Sequence, residues 1–254
     1  MNTQFHVFMR GRNCAEYASR CLESLYAQTY KNWTASIWLD DPKDNSIQVV
    51  SDCVNRLGCF QTMIVQSPSH YGLCKSMYRG LKCCIRKWQV TRVKDYISPE
   101  TVIGNLDLDD WLAPNALEVV NKIYETKLDT LLTYGSFIEE SVQRRTCVSQ
   151  PYPKGTIVRH FHWRASHFKT FKLKLFNMLT EDCFHDENGC WLKAASDMSL
   201  MIPMMEMAGL DKCVHIPEEI YHWRDNTEFK TNVFEQEAAE KIIRAKKPFE
   251  RISL

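Results

Sequence analysis

The stretch Gly104-Asn105-Leu106-Asp107-Leu108-Asp109-Asp110-Trp111 places three carboxylates within four positions, directly after an apolar run typical of a buried strand. Like charges this close together repel one another unless a cation neutralises them. Carboxylate oxygens suit Mg²⁺ or Mn²⁺, which bind a few carboxylates together with substrate phosphates. The stretch therefore predicts a metal site for a phosphate ester, and the simpler alternative is a solvated acidic turn.

On both sides of this stretch, strand-like apolar runs alternate with segments of helical spacing. Strands are predicted at 5–9, 33–39, 61–66, 97–106 and 130–138, and helices at 15–28, 47–57, 72–88, 114–124, 194–208 and 235–247. The alternation predicts an α/β fold with a Rossmann-like, mostly parallel central sheet flanked by helices and a less regular C-terminal part. Ligands of such sheets bind beyond the carboxyl ends of strands. We therefore expect Asp40-Asp41, which follow the second strand, to lie on the same edge as the acidic stretch.

Composition restricts the partners of the chain. The 254 residues carry 32 Lys and Arg against 31 Asp and Glu, a balance that argues against a broad nucleic-acid surface. The 11 cysteines are scattered and predict reduced thiols, and zinc is disfavoured because no histidines stand at suitable spacing. There is no secretory leader and no apolar run of about 18 residues, so we expect a soluble, cytoplasmic protein with at most peripheral membrane contact.

Six segments, taken in order over residues 5–225, resemble glycosyltransferase family 2, whose members have the GT-A fold. They are Asn13 with Gln28-Thr29-Tyr30, the strand end 38–44 (V-D-D-G-S-x-D in the family), Gly72-Leu73 with Gly80-Leu81, the D-x-D segment 106–117 (L-D-x-D-D-x-x-x-P-x-x-L), Ser196-Asp197-Met198-Ser199-Leu200 (E-D-x-x-L), and Tyr221-His222-Trp223-Arg224 (Y-x-Y-R). Any one of these segments alone is a weak signal, and their common order is what makes the resemblance specific.

The resemblance implies a metal-dependent, inverting transfer of a sugar from a nucleoside diphosphate sugar, expected to be UDP-linked, to a hydroxyl of a glycan or another acceptor. It assigns Mn²⁺ or Mg²⁺ to Asp109 and Asp107, with His222 as a further candidate. Asp110 is expected to support the metal through water or to orient its loop. Contacts with the donor are assigned to Asp40, Asp41, Arg12, Asn13, Lys75, Asp107 and Arg224. For Asp40-Asp41 the alternative is a plain turn.

The resemblance also assigns an acceptor side. Asp197 corresponds to the general base, and the alternative is that it caps a helix. Between the acids and the base, 160–171 is rich in histidine and aromatic residues, so acceptor contacts are expected from His162, Trp163, Arg164, His167 and Trp191. The alternatives for this strip are a basic surface or ordinary core aromatics. The expected organisation is one GT-A domain over 1–254, with a donor half (about 1–125), an acceptor half (about 126–230) and a helical tail (231–254).

Several positions depart from the family pattern. Arg10-Gly11-Arg12 replaces a loop that contains proline, and either arginine is a candidate for phosphate contact. Met77 stands in place of an arginine, Ser196 in place of a glutamate and Asn226 in place of a histidine. Two other functions stay open: a nucleotidyltransferase, which would need a glycine-rich phosphate loop after the first strand, and a non-catalytic module that binds nucleotide sugars or glycans.

Overall fold

A computed structural model describes residues 2–58, 61–91, 96–140, 145–147, 149–224 and 232–252. The strands are β1 (Phe5–Gly11), β2 (Trp33–Leu39), β3 (Thr62–Gln66), β4 (Val102–Asp107), β5 (Trp111–Leu112), β6 (Leu132–Glu139), β7 (Arg145–Cys147), β8 (Ser166–Lys172) and β9 (Cys213–Trp223). The helices are α1 (Ala18–Tyr26), α2 (Ser46–Arg56), α3 (Gly72–Lys75), α4 (Leu81–Thr91), α5 (Ala116–Thr126), α6 (Leu173–Asn177), α7 (Ser196–Ala208) and α8 (Val233–Ala245). Each strand and helix expected from the sequence is present, with ends shifted by a few residues.

The strands form one twisted sheet in the order β3-β2-β1-β4-β8-β6-β9-β5, with β7 paired to β6. The first four strands of this order run parallel, which confirms the predicted Rossmann-like half. Beyond β4 the sheet is mixed, because β8 is antiparallel to both β4 and β6 while β6 and β9 run parallel with shifts in register. The strand order reverses at β1, so the carboxyl ends of β1 and β4 flank a crevice of the kind that binds ligands in α/β proteins.

Two apolar layers cover the two faces of the sheet. One contains α1, α2 and α5, packed on Val7 and Met9, and the other contains α4 and α7, packed on Phe8 and Ile103. Side chains alternate between the faces of a strand, so Arg10 and Asp107, two and four residues beyond Phe8 and Ile103, lie on the face that carries α7. The buried methionines of α7 belong to the core, as their spacing predicted.

Two local features differ from the expected regular elements. The helix predicted at 72–88 is interrupted by a π-helical turn, Ser76–Gly80, between α3 and α4. A Cβ added to Gly80 would lie 3.0 Å from the ring of Trp38, so the glycine allows this turn to approach β2 closely. The strand predicted from residue 97 begins only at Val102, because Ser98 and Thr101 form a hydrogen-bonded turn before it.

The C-terminal helix α8 is joined to the rest of the molecule through Arg159, which also forms a buried ion pair with α7. The guanidinium of Arg159 forms two hydrogen bonds of 2.6–2.7 Å to the carboxylate of Glu206 on α7 and also donates to the carbonyl of Ile243 on α8. α8 therefore supports the helix that begins with Ser196 and Asp197. None of the described helices combines the length and apolar character needed to span a bilayer.

Candidate functional site

Arg10 connects four elements at the carboxyl edge of the sheet. It lies opposite Asp107 in the β1–β4 register, and its Nε donates to Asp107 Oδ1 at 2.8 Å. Its other nitrogens donate to the carbonyl of Leu73 at 3.0 Å and to Ser196 Oγ at 3.3 Å. Arg10 thus fixes the start of α7 and of α3 relative to the acidic end of β4. The sequence could not predict these contacts of Arg10, because all three partners are distant from it along the chain.

The acidic cluster combines one buried carboxylate with two that are more open. Asp110 is 2% exposed and accepts hydrogen bonds from the Tyr221 hydroxyl at 2.5 Å and from the Arg224 backbone N–H at 2.8 Å. Burial raises the pKa of Asp110 well above its ordinary value, and the negative charges of Asp109 and Asp107 raise it further. Asp110 therefore fastens the end of β9 to the cluster, and the cluster carries negative charge that a cation would neutralise.

The carboxylates at this edge of the sheet fit a divalent cation that takes most of its ligands from substrate phosphates and water. Among the residues described, no three His, Cys, Asp or Glu side chains are grouped closely enough to hold a metal ion by themselves. Asp107 and Asp109 are partly exposed at the strand end and can supply one or two carboxylates. Mg²⁺ is commonly bound in this way, with substrate phosphates and water completing its coordination.

His222 has partners of its own. Its Nδ1 lies 2.8 Å from Glu140 Oε1, and its ring stacks on Trp111 at 5.6 Å between centroids and 12° between planes. The guanidinium of Arg20 lies 3.3 Å from the centroid of the Trp111 ring. The structure does not group His222 with Asp107 and Asp109, and the corresponding late position, Asn226, falls outside the described residues.

Asp40 is occupied by protein donors. It is buried, and its two oxygens accept from Ser67 Oγ (3.2 Å), His70 Nδ1 (2.9 Å) and the backbone N–H groups of Tyr71 (2.7 Å) and Gly72 (2.9 Å). Two of these donors are backbone groups at the start of α3, which have no partner within the helix. Asp40 therefore anchors α3 to the end of β2.

Asp41 is the more open carboxylate of the pair. Its backbone is left-handed, with φ 45°, and its side chain forms an ion pair of 2.8 Å with Lys43. The hydrogen bond from Lys43 lowers the pKa of Asp41. Arg12 Nε donates to the carbonyl of Asp41 at 3.4 Å, and Asn13 Oδ1 accepts from the backbone N–H of Lys43 at 2.7 Å. The structure thus brings three predicted donor-side residues together at the ends of β1 and β2.

Lys75 and Arg224 each rest on an aromatic ring. Lys75 Nζ lies 4.0 Å from the centroid of the Tyr71 ring, and the Arg224 guanidinium lies 3.2 Å from that of Tyr17. Within the described residues, which exclude 225–231, Arg224 Nε is buried without a hydrogen-bond partner, while the backbone N–H of the same residue is bound to Asp110. Arg224 therefore sits beside the acidic cluster, with donor capacity left on its side chain.

Asp197 is the second residue of α7, and its side chain is 35% exposed. The N-cap position belongs to Ala195, which adopts a left-handed backbone with φ 56°, so the alternative of Asp197 as the N-cap is wrong. Asp197 Oδ1 accepts from the backbone N–H of Met198 at 2.9 Å. A carboxylate in the first turn of a helix is stabilised by the helix dipole and the unpaired N–H groups there.

Lys169 was not identified from the sequence. It lies on β8 with its side chain buried, and its Nζ is 3.9 Å from Asp197 Oδ2. The available signal was a lysine inside a strand-like segment, Phe168-Lys169-Thr170-Phe171, two positions before an apolar residue of the same strand face. Such a lysine is ordinarily expected on a solvated face, and only the antiparallel pairing of β8 to β4 shows that this face is covered by α7.

Three of the five predicted acceptor-side residues line a cavity of about 410 Å³. Its walls are formed by Phe137, Ser149, Gln150, His162, Trp163, Arg164 and Ser166. His167 lies behind the wall, at 5.8 Å from Phe137 and stacked on Tyr221 at 4.4 Å between ring centroids. Trp191 lies elsewhere, against His185 at 4.3 Å and beside the Arg79 guanidinium at 5.3 Å. The structure therefore brings His162, Trp163 and Arg164 together and leaves Trp191 apart.

A parallel half-sheet with its order reversed at β1, acids at the end of β4 and a mixed C-terminal half define the GT-A class of glycosyltransferase folds. The sequence profile described as Glycosyl transferase family 2 matches residues 7–191, which is more than half of the chain. The chain belongs to glycosyltransferase family 2. A comparison with curated protein sequences gave no match.

Solved structures confirm the fold. S. aureus TarS 1–349 in complex with UDP-GlcNAc matches with a TM-score of 0.63 at 13% identity, over 89% of this chain and 60% of that chain. The mannosyltransferase PcManGT from Pyrobaculum calidifontis, in complex with GDP-Man and Mn²⁺, matches with a TM-score of 0.59 at 13% identity, over 90% of this chain and 59% of that chain. GalNAc-T7 with UDP, GalNAc and Mn²⁺ matches with a TM-score of 0.61 at 11% identity, over 89% of this chain and 45% of that chain. The chain thus spans less than two thirds of each of these proteins.

Proposed function

We propose that this chain is a metal-dependent, inverting glycosyltransferase that moves a sugar from a nucleoside diphosphate sugar to a hydroxyl of a glycan or another acceptor. One observation carries the proposal. Arg10 donates both to Asp107 at the end of β4 and to Ser196 at the start of α7, and this brings Asp197, the residue after Ser196, to the acidic end of β4. A UDP-linked donor is the first candidate. The similar structures hold UDP-GlcNAc in one protein and GDP-Man in another, so the nucleobase is a matter for experiment.

On the donor side, Asp109 and Asp107 are proposed to hold Mn²⁺ or Mg²⁺, which would neutralise charge on the departing diphosphate. The carboxylate of Asp41 is proposed to accept a hydrogen bond from a base N–H, and Asp40 holds the neighbouring α3 in position. Lys75 and Arg224 are proposed to supply positive charge for the phosphates, and the aromatic rings of Tyr71 and Tyr17 support their side chains. These groups bind and orient the donor.

On the acceptor side, Asp197 takes the proton from the acceptor hydroxyl as its oxygen forms a bond to the anomeric carbon. The bond from that carbon to the diphosphate oxygen breaks on the opposite face, and the bonding electrons leave with the diphosphate. Attack opposite to the leaving group inverts the anomeric configuration. The division into a donor half (1–125), an acceptor half (126–230) and a tail (231–254) is part of this proposal.

The cavity beside β8 is the proposed place for the acceptor. Aromatic faces such as that of Trp163 pack against sugar C–H groups, while Arg164, Gln150 and the serines bond to hydroxyls. His162 Nε2 accepts from Arg164 Nε at 2.7 Å, and this contact orients both side chains.

Ligand-linked stabilisation tests the donor assignment without an acceptor. Unfolding temperatures are measured with UDP- and GDP-sugars, with and without Mn²⁺, and a donor at about 100 times its Kd adds about 2.7 kcal/mol. We expect stabilisation only when sugar nucleotide and metal are both present. Stabilisation by nucleoside triphosphates alone would favour a nucleotidyltransferase, and donor binding with no turnover in any acceptor mixture would favour a non-catalytic module.

A further inference from the structure

Lys169 is a buried cation between the two acidic parts of the site. It lies opposite Asn105 in the antiparallel pairing of β8 with β4, so its side chain shares a face of the sheet with Asn105 and Asp107. Arg10, which lies opposite Asp107 on β1, points to the same face. α7 covers this face and brings Asp197 to within 3.9 Å of Lys169 Nζ.

The ammonium of Lys169 lacks a short bond to any carboxylate within the described residues. The residue is 1% exposed, and its Nζ lies 3.4 and 3.5 Å from the two ring nitrogens of His167. Burial lowers the pKa of Lys169, and burial together with Lys169 and Arg10 lowers that of His167 well below its usual value, so His167 is a neutral neighbour. A buried ammonium is costly unless negative charge compensates it.

Asp197 is the nearest source of that compensation. The other charged groups that face Lys169 are Asp107 and Asp110, which attract it from the end of β4, and Arg10, which repels it from β1. Of these, Asp197 alone lies within ion-pair distance. Its two oxygens have different partners, because Oδ1 accepts from the backbone N–H of Met198 and Oδ2 faces the ammonium.

We propose that Lys169 is a positioning residue that holds the carboxylate of Asp197 in one orientation, with Oδ2 turned toward the buried side of the site and away from solvent. This inference rests on the proposed role of Asp197 as the base. Ser196 replaces the glutamate that precedes the base in the resembling family, and Arg10 occupies its hydroxyl. The Asp197 carboxylate is therefore positioned by Lys169 of β8, and the preceding residue of α7, Ser196, does not take this role.

The charge of Lys169 makes this arrangement depend on pH. Its folded pKa lies below that of an ordinary lysine, so the ammonium loses its proton at a lower pH than a solvated lysine does. Once it is neutral, Oδ2 of Asp197 loses its partner and the carboxylate, already 35% exposed, rotates toward solvent. The rate of sugar transfer should then fall on the alkaline side.

The test compares Lys169→Met and Lys169→Arg with Lys172→Met, a matched change on the same strand. Lys172 is bound to Glu100 outside the site, and Lys174 pairs with the same carboxylate. We expect Lys169→Met to lower kcat about 10-fold or more, as part of the contribution of a positioned base, with the KM for donor unchanged. Lys169→Arg should recover rate and shift the alkaline loss to higher pH, and Lys172→Met should match the wild type. A wild-type kcat and pH profile in Lys169→Met would overturn the proposal.

A spectroscopic measurement keeps the test independent of turnover and of the proposed reaction. The ¹³Cγ resonance of Asp197, assigned by its loss in Asp197→Asn, should shift as Lys169 loses its proton in the wild type. That alkaline shift should be absent in Lys169→Arg over the same pH range. No alkaline shift in the wild type would refute the pairing even if transfer is observed, whereas a shift without any sugar transfer would refute only the proposed function.

Discussion

At the scale of the residue, burial decides which of two adjacent carboxylates is available to a ligand. Asp40 and Asp41 are equivalent in the sequence pattern, yet Asp40 accepts hydrogen bonds from four protein donors, whereas Asp41 forms an ion pair with the exposed Lys43. Exposure also separates Asp110, which is buried and fastens β9, from Asp107 and Asp109, which are partly exposed, and Asp107 in addition pairs with Arg10. The sequence predicted the positions of these acids, but which of them are buried depends on neighbours from distant parts of the chain.

The first prediction concerns Asp109. Asp110 binds its proton more tightly in the folded protein than in the unfolded chain, where its pKa is 3.8. Its contribution to the free energy of unfolding is therefore fully present below pH 3.8 and is lost as the pH rises through the raised folded pKa. Asp109→Asn removes one of the charges that raise that pKa. Without metal, we expect the variant to gain about 1 kcal/mol at pH 7, or roughly 2–4 °C in melting temperature.

Metal binding should change in the opposite direction. Stabilisation by Mn²⁺ with UDP should be present in the wild type and lost in Asp109→Asn, and both effects are read from melting curves at low ionic strength. A variant that melts as the wild type does and responds equally to Mn²⁺ would refute the role of Asp109 in the charge cluster and in metal binding.

At the scale of the element, the parallel half of the sheet could be predicted because its strands are continuous apolar runs separated by helices of clear spacing. The C-terminal half could be predicted only in part. β8 lies between β4 and β6, which are separated from it by long stretches of chain, and such pairings leave no mark in local periodicity. This is why Lys169 was not identified from the sequence, whereas Asp197, on a regular helix with a familiar motif, could be proposed from it.

The second prediction concerns the anchoring of α3. Asp40→Ala removes the acceptor for the backbone N–H groups of Tyr71 and Gly72, so it should destabilise the fold by about 0.5–2 kcal/mol. Because α3 carries Lys75 and contacts Arg10 through the carbonyl of Leu73, donor affinity should fall as well. Asp41→Ala is the comparison, and it should weaken donor binding with little loss of stability. Denaturant unfolding and calorimetric donor titration measure the two effects, and equal losses of stability would contradict the assignment.

The third prediction concerns the cavity beside β8. Trp163→Ala should raise the KM for acceptor about 10-fold, the equivalent of 1.4 kcal/mol, while leaving metal-dependent hydrolysis of the donor intact. Trp191→Ala is the comparison, because Trp191 packs on His185 outside the cavity. If Trp163 serves the core instead, its truncation would cost about 3–5 kcal/mol of stability. A large fall in melting temperature with unchanged acceptor kinetics would therefore refute the acceptor role.

At the scale of the whole molecule, the candidate site combines groups from both halves of the sheet. β1 and β4 supply Arg10 and the acids, β8 supplies Lys169, and α7, supported by α8 through Arg159 and Glu206, supplies Asp197. Family membership could be anticipated from six short segments in order, whereas the links among them required the fold. The proposed chemistry accordingly depends on both halves of the sheet and on the helix that crosses its face.

The stereochemistry of transfer tests the central claim most directly. With Mn²⁺, an α-linked UDP-sugar identified by melting curves and a matching acceptor, proton NMR of the first product reads the configuration of the new bond. We predict a β-linked product from the wild type, and a rate about 10²–10⁴-fold lower from Asp197→Asn, with donor affinity little changed. An α-linked product, or transfer by Asp197→Asn at the wild-type rate, would contradict the assignment of Asp197 as the base of an inverting reaction.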